Sequence, residues 1–325
     1  MRIFFLLIIL PLVICISCKG KSSTGQVTKV DQYDTLVFKE DLRILGEKLF
    51  FDKRLSLDNS ISCASCHIPA LAFTDGKKLS QGIHHRSTKR NSPSIMGVVN
   101  QDKFMWDGGV KTLELQVLVP LQDTNEMGSR ISELIPELRS DVWYEKMSQK
   151  LFKHSFDGYT LTRALGHFQR SLYKENSVYD DWRRGAEGDF SQLKRGYDLF
   201  TNKLNCAACH SGSNFTDNGL KNNGIYERFS DQGHYLISGD SSDIGKFKVP
   251  GLRNVEITSP YMHDGSIATL EEVIEHYASG GKNHPNKSEL IQPFTLTPKE
   301  KEDLLFFLRS LSDKEIKRNW EKVFR

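Results

Sequence analysis

Two copies of one short motif hold the residues of this sequence that are best suited to chemistry. Each copy has two cysteines three positions apart and a histidine directly after the second, at Cys63, Cys66 and His67 in the first copy and at Cys206, Cys209 and His210 in the second. Thiols at this spacing reach the two vinyl groups of a porphyrin, and the adjacent imidazole then falls under the iron. Paired zinc-binding motifs lie roughly 15–20 residues apart, whereas these two lie in opposite halves of the chain. The motifs therefore predict two covalently attached c-type haems.

The remaining cysteines support this interpretation. The sequence has six cysteines, and the two outside the motifs, Cys15 and Cys18, lie near the N-terminus. No cysteine is left for a separate disulfide framework, so the four motif thiols are free to bind a cofactor.

The N-terminus predicts export. Residues 3–14 form an apolar run that is too short to span a bilayer and has the layout of a secretory signal. Ser17 and Cys18 resemble a bacterial lipoprotein cleavage site, after which Cys18 would carry the lipid. Cys15 is a less usual residue at the third position before the cleavage point, so ordinary signal cleavage stays open. We expect a leader at 1–17, a polar tether at 18–36, and a periplasmic protein held to a membrane through Cys18.

The charge balance excludes two classes of partner. The chain has 44 basic and 41 acidic residues, so no excess of positive charge indicates nucleic-acid binding or strong attraction to a membrane surface. No other apolar stretch of the sequence is long enough to cross a bilayer, which leaves the lipid anchor as the predicted membrane attachment. The sequence leaves the oligomeric state open, with a homodimer among the alternatives.

Similar segments precede the two motifs, which indicates an internal repeat. Both "LGEKLF" and "RGYDLF" are typical of a helix that ends in Leu-Phe, and a loop and the motif follow each of them. In the first copy Leu42, Leu45 and Leu49 fall on one helical face, as a small haem-enclosing domain requires. Strand-type alternation is scarce. We therefore predict a mainly α fold, a tandem of two cytochrome-c-like haem domains at 37–185 and 186–325.

Several longer stretches are similar to one protein family. They include "SCASCHIPALAFTDG", "FMWDGG", "NEMGSR" and "FKVPGLRNVEITSPYMHDGSIATLEEVIEHY", and they extend from about residue 40 to residue 312. Together they resemble the bacterial di-haem cytochrome c peroxidases and their MauG branch. An unrelated cytochrome c would share only the haem-attachment motif, so the resemblance is specific.

The resemblance implies different tasks for the two haems. The haem at His67 is expected to react with hydrogen peroxide, and the haem at His210 is expected to receive and relay electrons. Glu126 matches the family's distal glutamate, Gln116 matches the pocket glutamine beside it, and Trp106 matches the tryptophan that lies between the haems.

The resemblance also implies a calcium ion between the domains. Asn91 and the backbone carbonyls of Thr258 and Pro260 match the family's calcium ligands. Amide and carbonyl oxygens suit this hard cation. Without the resemblance, Asn91 would be interpreted only as a turn residue.

The open side of the first haem departs from the usual pattern. In the standard peroxidases a histidine downstream of the first motif caps the resting iron, whereas MauG-like members have none. Here His84 and His85 lie in that loop, and neither falls cleanly on the expected position. His84 is the first candidate ligand, His85 is the second, and an uncapped haem is the remaining alternative.

A second departure concerns the haem at His210. Thr269 and Glu272 form a capping-box pattern that predicts the start of a helix, and Tyr277 falls on the apolar face of that helix. The standard peroxidases have an axial methionine at this position, whereas MauG has a tyrosine. Tyr277 is therefore the expected axial ligand, and Met262 is the alternative. A phenolate gives the iron a lower potential than a thioether does.

These features predict a di-haem c-type peroxidase that reduces hydrogen peroxide with electrons from a small soluble cytochrome c or copper protein. Two alternatives stay open. A MauG-type enzyme would oxidise side chains of a partner protein, and a plain di-haem electron carrier would have no catalytic activity. Capped irons in both halves and no peroxide turnover would identify the carrier.

Overall fold

The computed structural model describes residues 29–324 of the chain, with side chains from residue 36 to residue 319. The predicted leader at 1–17, the lipid site at Cys18 and the tether as far as residue 28 lie outside the described residues. From Phe38 onwards the described residues form one compact unit.

Helices dominate the described part of the chain, which confirms the predicted mainly α fold. The helices are α1 (Lys29–Phe50), α2 (Cys63–Cys66), α3 (Leu113–Gln116), α4 (Leu118–Gln122), α5 (Ile131–Ser140), α6 (Val142–Phe152), α7 (Gly158–Ser171), α8 (Val178–Arg183), α9 (Ser191–Asp198), α10 (Tyr235–Ser238), α11 (Leu270–Ala278), α12 (Pro298–Arg309) and α13 (Lys314–Phe324). Two short strands, β1 (Leu220–Lys221) and β2 (Phe247–Lys248), pair antiparallel. Among the helices described, none has both the length and the apolar character needed to cross a bilayer.

The first hydrophobic core lies among α1 and the helices α3 to α7. The three leucines predicted to share a face of α1, Leu42, Leu45 and Leu49, are all buried in it. They pack with Leu113 of α3 and Leu161 of α7. Each buried leucine contributes about 1.5–3 kcal/mol through the apolar surface it removes from water. The periodicity of the sequence therefore identified the face of α1 that holds the first half together.

A second core lies among α9, α11 and α12. Leu193 of α9, Ile274 of α11 and Phe307 of α12 are buried in it. Tyr179 and Trp182 of α8 also pack against this core. The domain limit between residues 185 and 186 stays a prediction, and the packing of α8 favours a limit a few residues earlier.

The helix before each motif crosses a partner helix at a glycine. A Cβ at Gly46 of α1 would lie 2.0 Å from the carbonyl oxygen of Ala164 in α7. A Cβ at Gly196 of α9 would lie 2.1 Å from the carbonyl oxygen of Asp303 in α12. No side chain fits at either position, so both crossings depend on glycine. The two crossings sit at the same place in the repeated segments, three residues before Leu-Phe.

Candidate di-haem site

One cavity of about 930 Å³ joins the two haem-attachment motifs. Residues from both halves of the fold line it. Among the predicted site residues, the cavity is lined by Cys66, His67, Asn91, Trp106, Gln116, Glu126, Cys206, Cys209, His210, Thr258, Pro260, Met262 and Tyr277. The structure therefore brings together side chains that are up to about 200 positions apart in the sequence.

The two motif histidines are held in the same way. Nδ1 of His67 lies 2.9 Å from the carbonyl oxygen of Phe73, and Nδ1 of His210 lies 3.0 Å from the carbonyl oxygen of Phe215. Burial lowers the pKa of both imidazoles, so each ring is neutral. Nδ1–H then donates to the carbonyl, and Nε2 keeps a free lone pair. A neutral imidazole with one free nitrogen is the proximal ligand that haem iron takes.

The four motif cysteines are free thiols in apolar surroundings. None of them forms a disulfide, and Cys63 packs against the first core while Cys206 packs against the second. Burial raises the pKa of Cys63 and Cys206 to about 12 and that of Cys66 to about 11. The thiols are therefore uncharged, and they lie beside a cavity that suits an apolar macrocycle. This donor set fits one covalently attached haem in each half.

Trp106 is fixed at both its ring and its backbone. Its Nε1–H donates to the carbonyl oxygen of Asn91 at 2.8 Å. Its own carbonyl oxygen accepts from the backbone N–H of Lys248 at 2.7 Å. One partner comes from each half of the chain, so the indole is held against the cavity that both motifs share.

Gln116 and Glu126 enter the cavity from consecutive elements. Gln116 ends the short helix α3, which is N-capped by the side chain of Thr112. Glu126 lies in the turn that follows α4, where its backbone N–H donates to the carbonyl oxygen of Asp123 at 3.0 Å. Its carbonyl oxygen accepts from the backbone N–H of Ile83 at 2.8 Å. The glutamate is therefore positioned by the loop that contains Ile83 as well as by its own turn.

The carboxyl group of Glu126 titrates near neutral pH. Burial, together with a smaller effect of the nearby charge of Asp123, raises its pKa from 4.5 to about 7. A carboxyl group whose pKa is close to the working pH can both accept and return a proton. The amide nitrogen of Gln116 contacts the sulfur of Met105 at 3.9 Å, and Gln116 is a second polar residue that lines the cavity.

Helix α11 begins and is oriented as the sequence predicts. The side chain of Thr269 accepts from the backbone N–H of Glu272, and the side chain of Glu272 accepts from the backbone N–H of Thr269, so the capping box is present. Tyr277 lines the cavity from the last turn of this helix. Burial raises the pKa of Tyr277, against an opposite effect of its hydrogen bond with Asn223. The same amide donates to the sulfur of Met262 at 3.2 Å, so one side chain contacts both candidate axial ligands.

The predicted calcium ligands lie around the same cavity. Asn91, Thr258 and Pro260 all line it. The side-chain nitrogen of Asn91 donates to the carbonyl oxygen of Lys77 at 2.9 Å, so the amide oxygen is the free end of the group. Oxygen donors of this kind fit calcium. Within residues 29–324 no group of three or more His, Cys, Asp and Glu side chains forms a metal cluster.

The histidines of the loop after the first motif do not line the cavity. The side chain of His84 is 54% exposed, and its Nδ1 lies 3.6 Å from a carboxylate oxygen of Asp58. His84 and His85 both have left-handed backbone conformations, with φ of 52° and 57°. The ligand role of His84 stays a prediction, and it requires this loop to move.

Several residues at this site were missed by sequence reasoning. Phe73 and Phe215 supply the carbonyls that orient the histidines, and the signal was present, because each begins a Phe-Thr-Asp segment shortly after its motif. Asp123 places a charge beside Glu126, and Lys248 lines the cavity. The sequence marks neither charge, since both look like ordinary surface residues.

The similarity to known proteins agrees with this geometry. The family descriptions that match are di-haem cytochrome c peroxidase, over residues 40–188, and cytochrome c, over residues 193–312. The methylamine utilization protein MauG of Methylorubrum extorquens is 35% identical over 272 residues, which is 82% of this chain and 77% of that protein. The cytochrome-c peroxidase IdrP2 of Denitromonas iodatirespirans is 34% identical over 304 residues, which is 84% of this chain and 82% of that protein.

A solved structure of similar fold extends the comparison. A MauG-like protein associated with microbial copper homeostasis superposes with a TM-score of 0.81 at 34% sequence identity. The match covers 88% of this chain and 94% of that protein. Because these relatives match over most of their own length as well as most of this one, the chain belongs to the di-haem cytochrome c peroxidase family, the family of MauG.

Proposed function

We propose that this chain is a periplasmic peroxidase that reduces hydrogen peroxide to water with electrons from a small redox protein. The observation that carries the proposal is the carboxyl group of Glu126, whose pKa burial raises to about 7, in a cavity shared with His67, Trp106 and Gln116. Family membership gives two c-type haems and oxidoreductase chemistry. The buried acid–base group supports peroxide as the substrate.

The residues present supply the proton chemistry of the reaction. Two electrons and two protons convert hydrogen peroxide to two waters, and the bound haem supplies the redox-active iron for this exchange. Glu126 as carboxylate accepts the proton of one peroxide oxygen and returns it to the other, so that the second oxygen leaves as water and not as hydroxide. The amide of Gln116 lines the same cavity and would orient the peroxide by a hydrogen bond.

Trp106 couples the two halves in this proposal. Its indole is held by Asn91 and its backbone by Lys248, so its π-system keeps one orientation in the shared cavity. With both haems bound, a fixed aromatic group at this point would offer a path for electrons between the two halves. A small soluble cytochrome c or a copper protein would deliver them.

The proposal includes further ligand and anchor assignments. Tyr277, whose pKa is influenced by the neighbouring Asn223 amide, would ligate the haem held at His210 in this proposal, with Met262 as the alternative. The exposure of His84 supports an uncapped haem at His67. Asn91, Thr258 and Pro260 would hold one calcium ion, and Cys18 would carry the lipid that attaches the protein to a membrane.

A second candidate function is oxidation of a partner protein. A tyrosine at the axial position is the feature of MauG that distinguishes it from the standard peroxidases, and the MauG of Methylorubrum extorquens is among the relatives. In that case the same cavity would generate the oxidising equivalents, but a side chain of the partner, and not a cytochrome, would supply the electrons.

One experiment separates the two functions. The protein carrying both haems, verified by intact mass, is mixed with hydrogen peroxide and a small c-type cytochrome reduced with ascorbate. Peroxidase function predicts multiple turnovers of cytochrome oxidation that depend on peroxide. The absence of such turnover, together with oxygen insertion into tryptophan or tyrosine of a co-purified periplasmic fraction, would favour the MauG-type function. If both activities are absent, the protein is an electron carrier.

A further inference from the structure

The two halves of the fold are tied together by a reciprocal pair of backbone hydrogen bonds. The N–H of Asn91 in the first half donates to the carbonyl oxygen of His263 in the second, at 2.8 Å. The N–H of Lys248 in the second half donates to the carbonyl oxygen of Trp106 in the first, at 2.7 Å. Each half therefore gives one donor and one acceptor to the other.

The two hydrogen bonds join residues at equivalent positions of the internal repeat. Asn91 lies two positions before Pro93, whose backbone contacts His67, and Lys248 lies two positions before Pro250, whose backbone contacts His210. The acceptors Trp106 and His263 are equivalent as well, because each follows a methionine whose backbone is in the left-handed region and precedes an Asp-Gly turn. Lys248 is therefore the second-half counterpart of Asn91.

The side chains at the two equivalent positions differ in charge. Asn91 has an amide whose nitrogen is satisfied by the carbonyl of Lys77. Lys248 is only 8% exposed and lines the cavity. Within the described side chains no acceptor lies at hydrogen-bond or ion-pair distance from its ammonium group. Burial lowers the pKa of Lys248 to about 8, although the charge of Asp102 acts in the opposite direction. A buried, unpaired ammonium is costly, so a charged group at this place requires an anion.

We propose that Lys248 binds a carboxylate side chain of the haem attached at Cys206 and Cys209. Each c-type haem brings two such carboxylates, and the strand of Lys248 leads directly to Pro250 beside His210. The ammonium then acts as a fixed cation at the position that corresponds to Asn91 in the first half. The inference concerns cofactor binding and the potential of the haem, and it goes beyond the peroxide chemistry.

The consequence of this pairing is a higher reduction potential. A fixed positive charge beside a haem favours the ferrous form, which carries one positive charge fewer than the ferric form. A unit charge roughly 10 Å away at an effective dielectric constant of about 20 changes an equilibrium by roughly tenfold. The sequence shows no sign of this effect, because the residue looks like an ordinary surface lysine.

The test is spectroelectrochemistry of the protein with both haems attached. In Lys248→Met we expect two covalent haems by intact mass, and we expect the ferrous-to-ferric ratio of one haem to fall roughly tenfold at fixed applied potential, about 59 mV for a one-electron couple. Lys248→Arg, which keeps the charge, should restore the ratio. The matched control is Lys246→Met, which removes a neighbouring half-buried lysine that is already paired with Asp243 at 3.0 Å and should leave both potentials unchanged.

A second measurement keeps the proposal open to refutation if the methionine variant does not accumulate. Resonance Raman bands of the haem carboxylates should shift in Lys248→Arg, because the hydrogen bond changes while the charge and the fold remain. Unshifted bands in that variant would overturn the proposal, and so would unchanged potentials in Lys248→Met. Both readouts are independent of peroxide turnover, so a protein without peroxidase activity would still test this inference.

Discussion

Replacement of Glu126 by glutamine removes the proposed acid–base group with the least change in shape. Glutamine has nearly the same volume and can still form hydrogen bonds, but it cannot accept a proton. We expect Glu126→Gln to keep both haems and their spectra and to lower peroxide turnover by about 10²–10⁴, the usual effect of losing a general acid–base group. Turnover is measured with a reduced small c-type cytochrome as the electron donor.

The pH dependence gives a sharper form of the same prediction. With a pKa of about 7 for Glu126, the carboxylate form is about half populated at pH 7 and about one tenth populated at pH 6. Wild-type turnover should therefore rise about tenfold per pH unit below pH 6 and level off above pH 7. Asp123→Asn removes the charge that adds to the raised pKa, so the rising limb should move to lower pH.

At high pH, Glu126→Gln should be more stable than wild type although it is less active. The pKa of Glu126 is about 7 in the folded protein against 4.5 as its ordinary value, a difference of about 3 kcal/mol. Because the folded value is the higher one, the contribution to stability is complete below about pH 4.5 and is lost as the pH rises to about 7. Glu126→Gln should therefore have a free energy of unfolding about 3 kcal/mol above wild type at pH 8 and close to wild type at pH 4.

Two outcomes would refute the role of Glu126. Turnover of the glutamine variant close to that of wild type, with both haems attached, would show that another group moves the proton. A variant that loses activity but keeps the same rising limb with pH would show that the titrating group lies elsewhere.

Three further predictions concern the ligand, the loop and the core. Tyr277→Phe should remove a ligand from the iron of the haem at His210, and Tyr277→Met should raise the reduction potential of that haem. The ferric spectrum and potentiometry measure both effects. If the spectrum and potential of Tyr277→Phe equal those of wild type, the tyrosine is only a core aromatic. Gly82→Ala should lower peroxide turnover about tenfold or more without haem loss, because the new Cβ would lie 2.1 Å from the backbone of the turn that holds Glu126. The control is Gly158→Ala, which should have no effect because the space around Gly158 is open. Arg253→Met should cost about 3–5 kcal/mol in the free energy of unfolding by denaturant, because it strands the carboxylate of Asp180, its bidentate partner at 2.9 Å; a loss below about 1 kcal/mol, as for an exposed pair, would contradict this.

Local signals were enough to predict the fold class and the two c-type haems. The two motifs have the spacing that is typical of haem attachment, and the face of α1 that carries Leu45 and Leu49 is buried as its period predicts. The capping box at Thr269 starts α11 where it should. These features depend on residues a few positions apart, which is the range over which periodicity and capping are informative.

Features that depend on contacts between distant segments were not predictable in the same way. The exposure of His84 follows from a turn whose backbone lies in the left-handed region, and nothing in its sequence demands that conformation. The pairing of Asn91 with His263 and of Lys248 with Trp106 joins positions more than 140 residues apart. The raised pKa of Glu126 likewise depends on what the fold packs around it.

Reaction of the fully reduced protein with a single equivalent of hydrogen peroxide tests the central claim most directly. The protein is reduced under anaerobic conditions, excess reductant is removed, and the absorbance of both haems is followed after peroxide is added. Peroxide takes up two electrons and two protons to form two waters, so a di-haem peroxidase predicts that one equivalent oxidises both haems, rapidly in wild type and much more slowly in Glu126→Gln. Haems that stay reduced after one equivalent, in a protein with both haems attached, would contradict the proposed function.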